Sequence, residues 1–403
     1  MIPAMALRPQ IGIFGRRNAG KSSLINVLSG QEVAIVSDIP GTTTDPVRKI
    51  MEIHGLGPVV LIDTAGMDDE GLLGEKRVLR SREVIMQVNM AILLFTGNFL
   101  GKYEKSLIED FRMDDVPFIL LHNMSDKITL DPEIRKEIER EYKVDVLDFS
   151  CREPEAIGAL IKIISNNLGP SPFSSLPMLE GLVRENDHVV LVCPVDSEAP
   201  EGRLILPQVQ VIREILDRRA IAVVLQETQL ESCFDRTYRE QNPVLVVTDS
   251  QLFGKVESLI PGNQPLTGFS ILLARSKGDF KTYMDETSAI DRLRDGDRVL
   301  LMESCSHHST CEDIGRVKLP RMLRQYTGKN LEFDMIAGLD IPSRPFKDYS
   351  LVIQCGGCMI THRQLLARIR EVKRAGVPVT NYGMAIAYTQ GVYERAIKPF
   401  LST

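Results

Sequence analysis

Apolar runs alternate with helical segments along the first 165 residues of the chain. Four apolar runs are short enough to be strands: IGIFG, VVLIDTAG, MAILLFTG and PFILLHN. Between and after them, charged or apolar residues recur at helical spacing in KSSLINVLSG, DPEIRKEIEREYK and EAIGALIKIISNNL. Buried strands that alternate with helices are typical of a parallel, doubly wound sheet. The pattern therefore predicts an α/β domain in this part of the chain.

Two turn-rich stretches divide the rest of the chain. GPSPFSSLP, residues 169–177, predicts a linker, and PGNQPLTG, residues 261–268, predicts a second break. Between them lie the strand-like runs HVVLVCPV, AIAVVLQ and PVLVVTD, with helical segments among them. After the second break come three more strand-like runs, FSILLARS, DRVLLMES and SLVIQ, and a late helix, RQLLARIREVKRAG. We therefore predict three α/β domains, over residues 1–168, 178–265 and 266–403.

The composition narrows the class of protein. The chain has 403 residues, a net charge of −6 and a pI of about 5.7, which argues against a dedicated nucleic-acid binder. It contains no apolar run of 18 residues and no basic-then-apolar start, so we expect a cytoplasmic protein without a membrane partner. Seven cysteines spread over the chain do not form a disulfide framework. In a reducing compartment, paired cysteines instead indicate a metal or redox site.

A phosphate-binding loop follows the first predicted strand. Residues 15–22, GRRNAGKS, fit the pattern GxxxxGK[ST] and open a helix, which is the structural context that this motif requires. Its glycines let backbone N–H groups approach phosphate oxygens, and the helix N-terminus adds its positive dipole end. Lys21 would neutralise the β- and γ-phosphates, and Ser22 would bind Mg²⁺. We therefore predict a nucleoside triphosphate site here.

Three further segments occur in the order that a GTPase has them. Asp63 ends a strand and can reach Mg²⁺ through water, and the Gly66 N–H can sense the γ-phosphate. The loop GTTTD, residues 41–45, holds threonines that can close over Mg²⁺ as a switch. Asn123 and Asp126, in HNMSD, have the spacing of a guanine-reading NKxD motif. Each segment alone fits an ordinary turn, whereas the ordered set predicts a GTPase.

This region, about residues 8–168, resembles the translation-factor-like GTPases, in the branch of the tRNA-modifying GTPase and Era. GRRNAGKSSLIN, PGTTTD and DFSCRE carry the resemblance. It implies that Thr43 binds Mg²⁺, that Asn18 helps to hold K⁺, and that Ser150 and Cys151 contact guanine. The expected catalytic residues are Lys21, Thr43 and Gly66. The residues expected to bind the nucleotide are Gly15, Asn18, Ala19, Gly20, Lys21, Ser22, Ser23, Asp63, Gly66, Asn123, Asp126, Ser150 and Cys151.

Two departures affect the expected activity. The lysine of the family's NKxD motif is Met124 here, and this change predicts weaker nucleotide binding with the guanine preference retained through Asp126. The residue after Gly66 is Met67, so no glutamine positions the attacking water at that point. We therefore expect slow GTP hydrolysis that K⁺ or a partner stimulates.

The cysteines near the C-terminal end form a second candidate site. Cys355 and Cys358 stand in the sequence CGGC directly after the run SLVIQ, and Cys305 and His307 follow the run DRVLLM. Because the ends of parallel strands meet at one edge of a sheet, we expect the two segments to converge. Three thiolates and a harder fourth ligand suit a [4Fe–4S] cluster or a Cys₃His zinc site. Disulfide redox chemistry and cysteines without a function are the other interpretations.

The whole chain resembles the [FeFe]-hydrogenase maturation GTPases, the HydF family. The family has a CxH pattern, about fifty residues and then CxxC, behind a GTPase domain and a dimerisation domain. Here Cys305-Ser306-His307 is followed by 47 residues and then CGGC. Many members have His before the CxxC, where this chain has Gln354. That departure leaves the fourth iron ligand open, with His307, a carboxylate, water or an incoming precursor as candidates.

The resemblance implies a specific role. Cys305, Cys355 and Cys358 would bind a [4Fe–4S] cluster, and the protein would assemble the di-iron precursor of the hydrogenase active site and deliver it. The implied partners are apo-[FeFe]-hydrogenase, the radical-SAM maturases of the pathway and a second copy of the chain. The alternatives are an RNA- or ribosome-associated GTPase with structural zinc, and a redox enzyme that uses the CxxC. The acidic pI argues against the RNA-associated class.

Overall fold

The computed structural model describes residues 8–29, 37–39, 47–53, 56–64, 83–168, 177–195, 204–304 and 314–401. They divide into two compact units, one within residues 8–168 and the other within residues 177–401. Thr43, Gly66, Cys305 and His307 lie outside the described residues. No helix among the described residues is long and apolar enough to cross a membrane.

The first unit is built on a seven-stranded sheet. Its strands are β1 (Gln10–Gly15), β2 (Ser37–Ile39), β3 (Val47–Ile53), β4 (Gly57–Asp63), β5 (Met90–Phe95), β6 (Phe118–Asn123) and β7 (Val146–Phe149). Their order in the sheet is β2-β3-β4-β1-β5-β6-β7. The two pairs β2–β3 and β3–β4 are antiparallel, and every other neighbouring pair is parallel. The predicted doubly wound, mostly parallel sheet is confirmed.

Helices connect these strands, as parallel strands require. Those with described bounds are α1 (Lys21–Ser29), α2 (Lys102–Met113), α3 (Pro132–Tyr142) and α4 (Pro154–Leu168). Strand β1 is buried along its whole length, and so is β5 beside it. The carboxyl ends of β1, β4 and β6 carry the loops of the predicted nucleotide site, so the sheet brings those loops to one edge.

The second unit contains two parallel four-stranded sheets. The first has the order β11-β10-β8-β9 and consists of β8 (His188–Val192), β9 (Ile221–Leu225), β10 (Leu245–Thr248) and β11 (Leu266–Gly268). The second has the order β13-β12-β14-β15 and consists of β12 (Arg298–Met302), β13 (Glu332–Ile336), β14 (Leu351–Gln354) and β15 (Val379–Asn381).

Nine helices with described bounds surround these two sheets. They are α5 (Leu206–Asp217), α6 (Leu230–Thr237), α7 (Phe253–Leu259), α8 (Phe269–Lys277), α9 (Phe280–Glu286), α10 (Leu319–Thr327), α11 (His362–Arg374), α12 (Tyr382–Thr389) and α13 (Tyr393–Leu401). One hydrophobic core contains residues of both sheets, such as Val190 of β8 and Val352 of β14. The two sheets therefore belong to one packed unit, and the domain boundary near residue 265 stays a prediction.

The run FSILLARS was grouped with the strands and is helix α8 instead. Most of its residues are buried, including the four consecutive residues 271–274. A helix that is buried on nearly all sides has the same continuous apolar sequence as a buried strand, so periodicity could not distinguish the two.

Candidate nucleotide and iron–sulfur sites

The phosphate loop connects the buried strand β1 to helix α1. Gly15 and Gly20 have φ values of +144° and +95°, a region that favours glycine. A Cβ atom at Gly20 would lie 2.1 Å from Nδ2 of Asn123, which itself donates a hydrogen bond of 2.7 Å to the Ala19 carbonyl. Asn123, at the end of β6, thus braces the loop from across the sheet.

A cavity of about 590 Å³ opens over this loop. It is lined by Arg17, Asn18, Gly20, Lys21, Ser22, Ser23, Asp63 and Met124. The Lys21 ammonium lies at the buried side and donates to the carbonyls of Gly15 and Arg16, both at 2.7 Å. The volume of the cavity lies within the range of small-molecule binding sites. The structure therefore brings together the loop residues and the aspartate that the sequence predicted.

Asp63 and Ser22 fit a magnesium site. Burial raises the pKa of Asp63, while the charges of Lys21 and Lys49 and a hydrogen bond from Ser22 oppose that rise. The Oδ1 atom of Asp63 is buried and has no hydrogen-bond partner among the described residues. A carboxylate beside a hydroxyl at the mouth of a phosphate loop is a donor set that Mg²⁺ accepts.

The residues predicted to recognise guanine lie close together where β6 and β7 end. Asn123 pairs in register with Phe149, which brings Ser150 beside Asp126. The Ser150 hydroxyl donates to Oδ1 of Asp126 at 3.0 Å, and a guanidinium nitrogen of Arg152 lies 3.6 Å from Oδ2. Burial, followed by the charge of Asp126, raises the pKa of Cys151. These contacts hold the Asp126 carboxylate in a defined orientation.

Sequence reasoning did not find the residues that stiffen the phosphate loop. Arg16 forms a two-pronged ion pair with the buried Glu104 of α2, at 2.8 and 3.0 Å. Glu104 also accepts from the Gly101 N–H at 2.9 Å. Arg16 and Glu104 are 88 positions apart, and no spacing rule links residues so distant in sequence.

The candidate iron–sulfur site lies where β12 and β14 end. Met302 is in register with Gln354, and the ladder continues through a hydrogen bond from the Cys355 N–H to the Met302 carbonyl. The Ser304 N–H donates to the Cys355 sulfur at 3.1 Å, and the thiol in turn donates to the Ser304 hydroxyl at 3.1 Å. Ser304 directly precedes Cys305 in the chain.

Gln354 directly precedes the CxxC, where the resemblance leads us to expect histidine. Its amide nitrogen donates to the Met302 carbonyl and the Ser304 hydroxyl, both at 3.2 Å, and lies 3.5 Å from the Cys355 sulfur. The side chain is fully buried. Gln354 therefore ties the two strand ends together.

Cys358 follows the tight turn of Gly357, whose φ is +72°. Burial, and then the charge of Cys355, raises the pKa of the Cys358 thiol to about 11, while Lys277 opposes the rise. Nδ1 of His362 lies 2.6 Å from the Lys277 carbonyl, and burial lowers the pKa of this histidine. Across the described residues, no group of three or more His, Cys, Asp and Glu side chains is arranged to hold a metal ion.

Three family models match the chain. Residues 178–278 match the hydrogen maturase F dimerization domain, and residues 281–399 match the hydrogen maturase F tetramerization domain. Residues 10–124 match the family described as 50S ribosome-binding GTPase. The first unit is therefore a GTPase domain, as its motifs predicted.

Curated relatives match about two fifths of the chain. The tRNA modification GTPase MnmE of Nitrosomonas eutropha is 32% identical over 161 residues, which are 40% of this chain and 35% of the relative. MnmE of Coxiella burnetii (strain Dugway 5J108-111) is 37% identical over 160 residues, 39% of this chain and 33% of the relative. The chain thus spans about a third of the length of these relatives.

Solved structures are similar at low identity. The G domain of the FeoB iron transporter of T. maritima is 20% identical with a TM-score of 0.32, covering 40% of this chain and 98% of that one. Era of Aquifex aeolicus is 17% identical with a TM-score of 0.34, covering 62% of this chain and 97% of that one.

Proposed function

The chain belongs to the hydrogen maturase F family, and from this premise we propose that it is a GTP-hydrolysing scaffold that holds a [4Fe–4S] cluster. In this role it assembles the di-iron precursor of the [FeFe]-hydrogenase active site and delivers it to the apo-hydrogenase. One observation carries the proposal: the Ser304 N–H donates to the Cys355 sulfur at 3.1 Å. This contact supports the convergence of the segment that leads into Cys305 with the CxxC turn.

Three cysteines would hold the iron–sulfur cluster. Cys355 and Cys358 would supply two thiolates and Cys305 the third, because Cys305 directly follows Ser304. The cluster would supply an iron that three cysteines leave open to a further ligand. His307 and the incoming precursor stay candidates for that position. A cluster that the protein does not fully enclose suits a carrier, because an enclosed one cannot accept cargo.

The nucleotide site would supply a switch. Lys21 and the loop N–H groups would bind the β- and γ-phosphates, Asp126 would read guanine, and Ser22, Thr43 and Asp63 would hold Mg²⁺. Met124 lines the cavity where the family has lysine, so nucleotide affinity is reduced. Hydrolysis is slow unless K⁺, held with the help of Asn18, or a partner adds positive charge beside the phosphates.

Self-association is supported by the dimerization and tetramerization descriptions of the two matches. We propose that β9 forms one interface between copies. It is the edge strand of its sheet, and its side chains Ile221 and Val224 are 44% and 45% exposed. Ile221 and Val224 lie on opposite faces of the strand, so β9 offers a second copy its unpaired backbone groups and one exposed apolar side chain on each face.

The RNA-associated GTPase with structural zinc is the less favoured reading. The ribosome-binding description applies to residues 10–124 alone, whereas residues 178–399 match domains of the hydrogen maturase F family. These two domains contain the CxxC to which this alternative assigns the structural zinc.

The test is iron content after anaerobic purification and reconstitution, with EPR of the reduced protein. Wild type should bind about four iron and four sulfide per chain. Cys305→Ser and Cys355→Ser should lose most of the iron while their GTP turnover stays at the wild-type rate. Cys233→Ser changes a half-buried cysteine of α6 and should keep its iron. A colourless, iron-free wild-type protein, or zinc in its place, would exclude the scaffold role.

A further inference from the structure

Two buried cations lie beside the CxxC turn, and neither has an anionic partner within the described part of the chain. Lys277, the last residue of α8, is 5% exposed and Arg368 of α11 is 6% exposed. Neither forms an ion pair with a carboxylate of the described residues. Burying an unpaired charge is costly, so proteins ordinarily pair such groups with an anion.

Lys277 is attached to the CxxC turn itself. Its ammonium donates to the carbonyls of Gly357 and Ile360 at 3.2 and 3.3 Å. Gly357 lies between the two cysteines. Burial lowers the pKa of Lys277, while the charges of Cys358 and Cys355 raise it. The positive charge is therefore fixed next to the segment that carries both thiols.

Arg368 lies near the end of β12, the other strand that leads to the candidate iron–sulfur site. One guanidinium nitrogen donates to the Gly338 carbonyl at 2.8 Å and to the Glu303 carbonyl at 3.4 Å. The other terminal nitrogen, Nη2, is buried and has no hydrogen-bond partner among the described residues. Asp340 acts on Arg368 electrostatically but makes no ion-pair contact with it. Arg368 thus retains a free donor beside the backbone that leads into Cys305.

Tyr283 adds a neutral donor to this cluster. Its ring is fully buried in α9, and its hydroxyl has no partner among the described residues. Burial, and then the charge of Cys355, raises its pKa well above the usual value. The group therefore remains a hydroxyl that can donate a hydrogen bond.

We propose that Lys277, Arg368 and Tyr283 form an outer shell around the iron–sulfur site, where their charges and hydrogen bonds stabilise the negative thiolates and cluster. This inference rests on the proposed function. Positive charge and hydrogen bonds to sulfur favour the more negative, reduced form of a cluster and so raise its reduction potential. A purely structural role, in which Lys277 only tethers the turn, would leave the potential unchanged.

The experiment is an EPR-monitored potentiometric titration of reconstituted full-length protein, with iron counted in each sample. Lys277→Met and Arg368→Met should keep the cluster and shift its potential to more negative values. Tyr283→Phe should shift it less in the same direction, and Lys277→Arg should stay near wild type. Lys281→Met, which removes an exposed charge from neighbouring α9, is the matched control.

The outcomes separate the inference from the proposed function. Iron-loaded Lys277→Met and Arg368→Met variants with the potential of Lys281→Met overturn the outer shell and leave the scaffold intact. If Lys277→Met and Arg368→Met lose iron, the variants that keep the charge, Lys277→Arg and Arg368→Lys, distinguish the two roles. Wild-type iron content and reduction potential in these variants would support the outer shell. Iron loss as large as in the Met variants would overturn it. A wild-type protein without a cluster would contradict both the outer shell and the proposed scaffold function.

Discussion

At the scale of single residues, we predict that Asn18 decides the ion dependence of the nucleotide site. It lines the phosphate cavity, is exposed, and has a φ of 63°. We predict that GTP hydrolysis is faster in K⁺ than in Na⁺ by at least roughly tenfold, about 1.4 kcal/mol of transition-state stabilisation. Asn18→Ala should remove the difference, because the ion then loses a ligand. The rate of phosphate release in K⁺ and in Na⁺, at equal ionic strength, measures this difference.

The control for that prediction is Asn98→Ala, since Asn98 accepts a hydrogen bond from the Asp131 N–H and does not line the phosphate cavity. This variant should keep the preference for K⁺. Equal rates in the two salts for the wild-type protein would contradict the assignment of Asn18 to the ion.

Cys193 allows a test of burial through pH. Burial, followed by the charge of Asp249, raises the pKa of this thiol to about 12. Only the thiolate reacts with iodoacetamide, so native protein at pH 9 should show at least about a hundredfold slower labelling of Cys193 than urea-unfolded protein. Because the folded state keeps its proton, Cys193 also costs stability as pH rises above the unfolded value of about 9. Peptide mass spectrometry, with Cys233 as the internal reference, measures the labelling.

The sequence identified residues whose roles depend on short spacing. Gly15, Lys21, Ser22 and Asp63 were predicted because a phosphate loop and the strand beside it have fixed local patterns. The sequence did not predict the hydrogen bond from Asn123 to Ala19 or the position of the Lys277 charge at the CxxC turn. Each joins residues 80 or more positions apart. Such contacts depend on how helices pack, which local spacing does not encode.

At the scale of elements, the edge strand β9 should control self-association. Val224→Lys places a charge on the exposed face of this strand, so an interface there would have to bury it. We predict at least a tenfold weaker association, about 1.4 kcal/mol. Sedimentation velocity over a range of concentrations measures it. Ile128→Lys changes a side chain of the same 45% exposure in the GTPase unit and serves as the control. Unchanged association of Val224→Lys would place the interface elsewhere.

Strands with continuous apolar runs were predictable, and strands with interspersed polar residues were not. β1, β4, β5, β6 and β8 coincide with predicted runs, because buried parallel strands are continuously apolar. β13 was not predicted, since its sequence EFDMI is only partly buried. Helix α8 was mistaken for a strand, because burial on nearly all sides removed its polar face. The apolar pattern of a sequence therefore indicates which residues are buried more directly than it indicates their secondary structure.

At the scale of the whole molecule, the two units should be separable. Each has its own hydrophobic core. We predict that a fragment of residues 1–168 binds guanine nucleotide and that a fragment of residues 177–403 binds iron, each with at least half the occupancy of the full chain. Circular dichroism melting and iron counting test this. Loss of cooperative melting in either fragment would show that the units depend on each other.

Nucleotide state should then alter contacts with partners and leave iron ligation unchanged, because the predicted iron ligands are all in the second unit. We predict the same EPR g-values for the reduced cluster with GDP and with a non-hydrolysable GTP analogue. A marked change in g-values between the two would contradict the expectation.

The pairing of β12 with β14 has a consequence for how samples of this protein are judged. Parallel strands that slip by one residue turn every side chain to the opposite face of the sheet. The Cys355 sulfur would then face away from the backbone of Ser304, and a misaligned chain would not bring the predicted iron ligands together. Iron per chain is therefore also a gauge of correct folding, because reconstitution cannot load a misaligned molecule.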